Sequence, residues 1–210
     1  ARAGLRIAEV RVGDKRATFA HRRDKLVVTD FGSIPAGKRF QVRVRYSGTP
    51  IPVRDRSGRG KFGWLRTRGG SVTYTEPTGT STWIPSNDVF YDKATWHVTL
   101  SAPRGLLGVS TGSFRGSKDV GGRTVSRWRM DTPIQPYIQV VAFDRFQFSR
   151  RPIAGIPAFT AVAKGGGVSV EQMRNRTEQS VKWLQSRLGP FPFESTGAVV
   201  VSGADSAMET

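Results

Sequence analysis

Hydrophobic and polar residues alternate along much of the first 150 residues, which is typical of half-buried β-strands. The clearest example is the segment 40–46, Phe-Gln-Val-Arg-Val-Arg-Tyr. Other strands are predicted at 5–12, 25–29, 71–75, 94–100, 105–111, 123–130 and 137–143. Short runs of Gly, Asp and Pro separate the first of these strands, so the pattern predicts a curved antiparallel sheet or a sandwich.

The pattern changes after residue 150. An extended segment over 153–164 precedes a segment with apolar residues at helical spacing, 169–188. The periodic positions are Val170, Met173, Thr177, Val181, Leu184 and Leu188. Ser169 and Gln172 fit a capping box, Gly189 ends the helix, and a buried strand is expected at 197–201. The sequence therefore predicts a mainly β domain over 1–150, followed over 151–210 by the beginning of an α+β domain.

The positive charge is unevenly distributed. The net charge is +17, and residues 1–70 contain 18 Lys/Arg and 5 Asp/Glu, leaving +13 on this third of the chain. Such a basic segment suits a polyanion, although charges that alternate with apolar residues are also typical of the outward face of a strand. No nucleic-acid-binding motif is present, so nucleic acid is not an expected partner. A non-catalytic basic β module that binds a polyanion or a protein remains the alternative function.

Few residues suggest chemistry on their own. The chain has no cysteine, and its two histidines, His21 and His97, lack metal-ligand spacing. Gly58, Gly60 and Gly63 fit a GxGxxG pattern, but no strand precedes it and no helix follows, which indicates a hairpin loop. No apolar run is long enough to span a bilayer. Accordingly, no catalytic residue and no metal ligand is predicted within the chain.

Two acidic residues stand out by their surroundings. Glu76 begins the stretch EPTGTSTWIPSNDVFYDKATW, which combines many turn residues with Trp83 and Trp96, and Glu209 lies in Ser-Ala-Met-Glu-Thr at 206–210. Two carboxylates converging from distant parts of a chain can hold a substrate ammonium group through charge-assisted hydrogen bonds. The alternative is that both are ordinary surface acids.

The two stretches, in this order, resemble the gluzincin aminopeptidases, the family of alanyl aminopeptidase (aminopeptidase N) and leukotriene hydrolase. The first is similar to a segment that reaches from the β domain of that family into its active site. The second is similar to the family's GAMEN exopeptidase motif in a bacterial form. Gly63-Trp64-Leu65-Arg66-Thr67 and the segment 188–193, Leu-Gly-Pro-Phe-Pro-Phe, also look like bacterial members. The resemblance covers most of the chain.

The resemblance implies a function. Glu76 and Glu209 would bind the free α-amine of a peptide, while Ala207 and Met208 would lie on the edge strand that pairs with the substrate. It also implies zinc as cofactor, with the HExxH ligands, a later Glu and the catalytic Tyr located beyond residue 210. The chain would then be the β domain and the truncated beginning of a thermolysin-like catalytic domain, inactive alone. The full-length protein would be a zinc aminopeptidase acting on peptides with a free N-terminus.

Departures from the family pattern place the substrate preference in question more than the fold. Ser81 stands where an Arg is frequent, Ser86 where a Cys is frequent, and Val89-Phe90-Tyr91 where a Pro is usual. The preferred N-terminal residue and the oligomeric state stay open. So does the compartment, where the resemblance to bacterial members favours a secreted or cell-envelope protein, with the cytoplasm as the alternative.

Overall fold

The computed structural model describes residues 4–22, 24–54 and 60–203, which form sixteen β-strands, one α-helix and two short 3-10 turns. The first strands are β1 (Leu5–Val12), β2 (Lys15–Arg16), β3 (Thr18–Arg22), β4 (Lys25–Thr29) and β5 (Val42–Gly48). These five are called the first region below. The mainly β fold class predicted from the alternation is confirmed.

The remaining elements form the second region. They are β6 (Val53–Arg54), β7 (Lys61–Arg66), β8 (Ser71–Tyr74), a 3-10 turn (Thr80–Thr82), β9 (Ala94–Pro103), β10 (Leu107–Ser110), β11 (Ser113–Val120), β12 (Arg123–Ile134), a second 3-10 turn (Pro136–Ile138), β13 (Val141–Asp144), β14 (Phe146–Ser149), β15 (Ala158–Ala163), the helix α1 (Val170–Leu188) and β16 (Thr196–Val200).

The first region is a small two-layer unit. Strands β2, β1 and β5 form an antiparallel sheet, and β3 pairs with β4 in a separate hairpin. Leu5, Ile7 and Val10 point from β1 into a core that the hairpin and β5 complete with half-buried apolar side chains. Leu5 and Ile7 follow the period of two along a strand, and a β-bulge between Ile7 and Glu9 adds one residue, so that Val10 returns to the same face.

The second region has a larger core made of three sheets. The sheets have the orders β10-β13-β8-β7-β6, β11-β12-β9 and β14-β15-β16. Trp128 is 2% exposed at the centre of this core, and its ring lies 4.9 Å from Phe114 and 4.8 Å from Phe159 between ring centroids. The Trp128 indole N–H donates to the carbonyl of Gly108 over 3.1 Å, so the polar atom of the ring is paired inside the core.

The last part combines a parallel strand pair with the helix. β15 and β16 are parallel and α1 connects them, as such a pair requires a long crossover. The predicted capping box is present, with the Ser169 hydroxyl accepting from the Gln172 N–H over 3.1 Å. β14 joins the same sheet from before residue 150, and the domain boundary expected there stays a prediction.

Part of the helix face expected to be buried is exposed. Val181 is 4% exposed, but Leu184 is 40% and Leu188 is 80% exposed. The periodicity predicts the helix correctly, but the burial of its apolar face ends after Val181. Spacing alone specifies which side chains share a face and not whether a neighbour covers that face.

The strand predictions need correction at two places. A strand is expected over 137–143, but Pro136–Ile138 is a 3-10 turn and the strand starts at Val141. The fixed φ of Pro136 suits the first position of a helical turn. The hairpin expected around the Gly-rich segment is formed by β6 and β7, which pair antiparallel; Gly63 lies inside β7, and Gly58 lies outside the described residues. β11 was missed because its sequence, SFRGSKDV, is polar and mostly exposed.

No helix among the described residues is long and apolar enough to cross a membrane.

Candidate functional site

Glu76 follows directly after β8 at the start of an ordered loop, and its side chain is exposed. Thr73 and Thr75 just before it are buried, and the Thr75 hydroxyl donates to the Tyr137 carbonyl over 2.6 Å. The Glu76–Pro77 peptide bond is cis. The carboxylate is therefore presented to solvent from a backbone whose preceding residues are fixed in the sheet.

Asp88 fixes the turn at the centre of this loop. Its Oδ2 accepts hydrogen bonds from the Gly79 N–H over 2.9 Å, the Ser81 N–H over 3.1 Å and the Ser81 hydroxyl over 2.9 Å. Thr80 donates from its hydroxyl to the Pro136 carbonyl over 2.9 Å. Through these three hydrogen bonds Asp88 holds the chain at residue 88 against the turn at residues 79–81.

Close backbone approach places the loop on β7. A Cβ on Gly63 would lie 2.3 Å from the Thr82 hydroxyl oxygen, and one on Gly79 would lie 2.8 Å from the Gly63 nitrogen. Both glycines also have positive φ, 107° and 144° respectively. Side chains at these two positions would separate the loop from the strand, so the close packing of the loop on β7 requires glycine at both.

Aromatic contacts connect the loop to both regions. Trp83 packs against the large core and its ring lies 6.0 Å from Trp64 between centroids. The Tyr46 hydroxyl, from β5, donates to the Trp83 carbonyl over 3.0 Å, and burial raises the pKa of Tyr46. Trp96 lies on β9 opposite Met130 and is half-buried. The loop is thus attached to the first region through Tyr46 and to the second through Trp83.

A groove with a volume of about 1970 Å³ runs between the sheets and the helix. Its walls include Trp64, Phe159 and Thr177. Tyr74, two residues before Glu76, lines this groove, and so does Gly203, the last described residue before the predicted 206–210 motif. The groove is therefore lined by residues that lie two positions before Glu76 and six positions before Glu209 in the sequence.

The chain approaching residue 203 is held by a buried carboxylate. Asp144 is 2% exposed, and its Oδ2 accepts from the Ser202 N–H over 3.1 Å and from the Ser202 hydroxyl over 2.9 Å. The Arg68 N–H donates to the Ser202 carbonyl over 3.2 Å. Ser202 is thereby joined to β13 and to the turn between β7 and β8.

A second carboxylate joins the same late part of the chain to β12. Glu194 accepts from the Asp131 N–H over 2.5 Å and from the Thr132 hydroxyl over 2.7 Å. Partial burial acts to raise the pKa of Glu194, but the hydrogen bonds from Thr132 and the backbone outweigh it, and the pKa lies below its ordinary value. Sequence reasoning missed Asp144 and Glu194, since neither lies in a recognisable motif.

The predicted residues Ala207, Met208 and Glu209 lie outside the described residues, so their assignment stays a prediction. His97 is exposed on β9, with Nε2 3.7 Å from the Asp131 carboxylate. Within residues 4–22, 24–54 and 60–203 there is no group of three or more His, Cys, Asp or Glu side chains arranged to hold a metal ion.

No protein-family model matches the chain, and no curated protein matches it either. Several solved structures do match the chain. An M1 zinc metallopeptidase from Deinococcus radiodurans bound to a Tyr-Ser-Ala substrate superposes with a TM-score of 0.83 at 23% identity, over 93% of this chain and 46% of that one. A two-domain M1 zinc metallopeptidase bound to L-tryptophan gives a TM-score of 0.84 at 23% identity, with the same coverage.

A more distant likeness extends the comparison. Legionella pneumophila aminopeptidase A in complex with aspartic acid superposes with a TM-score of 0.71 at 15% identity, over 93% of this chain and 23% of that one. The chain thus has the fold found in part of the M1 zinc metallopeptidases, the gluzincin aminopeptidases, as the two sequence motifs predicted. It spans 46% of the length of the first two peptidase chains.

Proposed function

We propose that this chain is part of a zinc aminopeptidase and supplies the acids that bind the substrate's α-amine. The observation that carries the proposal is that Tyr74, two residues before Glu76, and Gly203, six residues before Glu209, line one groove, in a fold that M1 zinc metallopeptidases share. One of those metallopeptidases is bound to a peptide with the sequence Tyr-Ser-Ala.

The reach of the chain is compatible with convergence of the two acids. β8 is extended, so the path from Ser71 to Glu76 covers roughly 17 Å. Ser202 is held near the start of β8 through Asp144 and Arg68. The seven residues from there to Glu209 reach at most about 25 Å when extended, which is enough to bring the second acid to the first.

The two carboxylates would bind an ammonium group and thereby select a free N-terminus. Each would accept charge-assisted hydrogen bonds from the amine, and a peptide lacking a free amine would leave both acids unpaired. This would place the first peptide bond of the substrate at a fixed distance from the acids. Ala207 and Met208 would pair with the substrate backbone as an edge strand.

The zinc is not assigned to this chain's own residues. The described residues hold no suitable group of ligands, so they do not fit the metal. We propose that the ligands belong to further polypeptide, as in the family, and that the 210-residue chain requires it for activity. Bound zinc in such an enzyme polarises the carbonyl and activates water.

Substitution of Glu76 by Gln in the full-length protein tests the proposal. Removing one charged acceptor of the amine is expected to lower kcat/KM for peptides about 10- to 100-fold, with an unchanged melting temperature. Binding of L-tryptophan, followed by calorimetry, should weaken by a similar factor.

Asp92→Asn is the matched control, because Asp92 is an exposed acid in the same loop. It should leave both measurements unchanged. Equal activity of the Glu76→Gln variant and the wild type, or an equal loss with Asp92→Asn, would exclude amine binding by Glu76.

A further inference from the structure

The outward face of the sheet β2-β1-β5 is an arginine surface. It consists of Arg6, Arg11, Arg16, Arg43 and Arg45, and is called the arginine face below. The opposite face of the same sheet packs the first region's core. A β-bulge between Ile7 and Glu9 shifts the alternation of β1 by one residue, so Arg6 and Arg11 both lie on the side away from that core. Arg16 lies opposite Arg11, and Arg43 and Arg45 alternate with the core residues Val44 and Tyr46, so they share this side.

The register places like charges directly opposite one another. Arg11 pairs with Arg16 on one side and with Arg43 on the other, so three arginines form a row across three strands. Neighbouring strands are roughly 4.8 Å apart, and like charges directly opposite destabilise a sheet. Stability of the sheet therefore does not explain this arrangement, whereas binding of an anionic surface would.

Among the described residues, little neutralises the arginine face. Glu9 is the one acid in these three strands; it forms an ion pair with Arg11 at 3.4 Å and lies opposite Arg45 in the register. Arg6, Arg16, Arg43 and Arg45 have no ion pair within the part of the chain that the structure describes. Their charges remain available to an external partner.

The shape of the arginine face suits a plane. The charges form a two-dimensional array on a sheet, and the one aromatic residue of the three strands, Tyr46, faces the core. Stacking platforms and a basic groove, with which proteins hold nucleic-acid strands, are thus missing from these strands. At one end of the sheet Phe40 is 61% and Val42 is 45% exposed, next to the β1–β2 turn where the Gly13 N–H donates to the Gln41 carbonyl.

We propose that the arginine face binds the surface of an anionic lipid bilayer. The negative surface potential attracts clustered Arg and Lys, and Phe40 at the rim can enter the headgroup region. This inference is independent of the proposed peptidase function, because it concerns a different face and a different ligand.

Vesicle co-sedimentation tests the proposal. The purified protein is mixed with phosphatidylcholine vesicles that do or do not contain phosphatidylglycerol, at low and at physiological salt. Binding should require phosphatidylglycerol and weaken with salt. Each arginine near the surface contributes about fivefold to partitioning, so Arg43→Gln combined with Arg45→Gln should weaken binding roughly 25-fold.

A matched variant removes the same charge elsewhere. Arg115→Gln combined with Arg127→Gln takes two exposed arginines from β11 and β12, and should change vesicle binding far less. An equal effect of the two double variants, or equal binding to vesicles without phosphatidylglycerol, would overturn the proposal. Tighter binding to duplex DNA or RNA than to anionic vesicles, lost in the Arg43/Arg45 variant, would overturn it in favour of nucleic acid.

Discussion

The two regions of the molecule reach stability in different ways. The first region buries three aliphatic side chains of one strand, Leu5, Ile7 and Val10, under a single hairpin. The second region surrounds Trp128 with aromatic rings and three sheets. All five tryptophans of the chain lie in the second region, at positions 64, 83, 96, 128 and 183.

The difference indicates a division of roles. A small core under a strongly charged face leaves little stability to spare, because small units bury a lower fraction of their surface. The large aromatic core supports the loop of Glu76 and the groove. The Tyr46–Trp83 hydrogen bond is a direct connection between the regions. Destabilising either core alone tests whether the two regions unfold together.

The largest expected effect is that of Trp128→Ala. Deleting this buried ring removes its aromatic contacts and leaves a cavity, so the free energy of unfolding should fall by about 3–5 kcal/mol. Ile7→Ala in the small core should cost about 2–4 kcal/mol. Thermal unfolding is followed in parallel by tryptophan fluorescence and far-UV circular dichroism.

The two probes should separate for one variant. Because tryptophan fluorescence reports on the second region alone, Ile7→Ala should lower the midpoint temperature seen by circular dichroism more than the midpoint temperature seen by fluorescence. Trp128→Ala should lower both midpoint temperatures. Coincident transitions for Ile7→Ala would mean that the regions unfold as a single cooperative unit.

Breaking the link between β13 and the chain after β16 is expected to lower the free energy of unfolding by a smaller amount. Asp144→Ala leaves the Ser202 N–H and hydroxyl without their buried acceptor, so unfolding in urea should be easier by about 2–3 kcal/mol. Asp119→Ala is the control, since the exposed Asp119 pairs with Arg104 at 3.2 Å and should contribute less than about 1 kcal/mol. Equal losses would show that Asp144 is no more important than a surface acid.

The smallest expected effect is a pH-dependent change in the free energy of unfolding. The pKa of Glu194 is lowered in the folded protein, so its contribution to stability is present above the unfolded pKa of about 4.3 and is lost as the pH falls through the folded value. Glu194→Gln should cost about 1 kcal/mol at neutral pH and progressively less in acid. Urea unfolding at several pH values measures the difference, and a pH-independent deficit would contradict the assignment.

The sequence predicted the fold well where the signal lies within a single strand or helix. The alternation over 40–46 corresponds to β5, and the capping box at Ser169 begins α1 as expected. The long-range links could not be predicted in this way. Asp144 and Ser202 are 58 positions apart, and Tyr46 and Trp83 are 37 apart. Such pairs depend on how sheets pack, which hydrophobic periodicity does not encode.

In the candidate site, too, one residue could be identified from the sequence and another could not. Glu76 could be singled out because turn residues and indoles surround it, and the resemblance gave it a role. Asp88 was visible in the same stretch, but its three hydrogen bonds to Gly79 and Ser81 became evident only once the loop was folded. Sequence reasoning identified the residue that points outward and overlooked the residue that holds it.

The carboxylate of Asp88 has a consequence for ligand affinity. By closing the loop between Gly79 and residue 88, it restricts the backbone next to Glu76 before any ligand arrives. The conformational entropy of these residues is lost during folding and need not be lost again on association. A ligand that contacts Glu76 therefore meets a preorganised acceptor, and its dissociation constant reflects the contact itself more than the ordering of a loop.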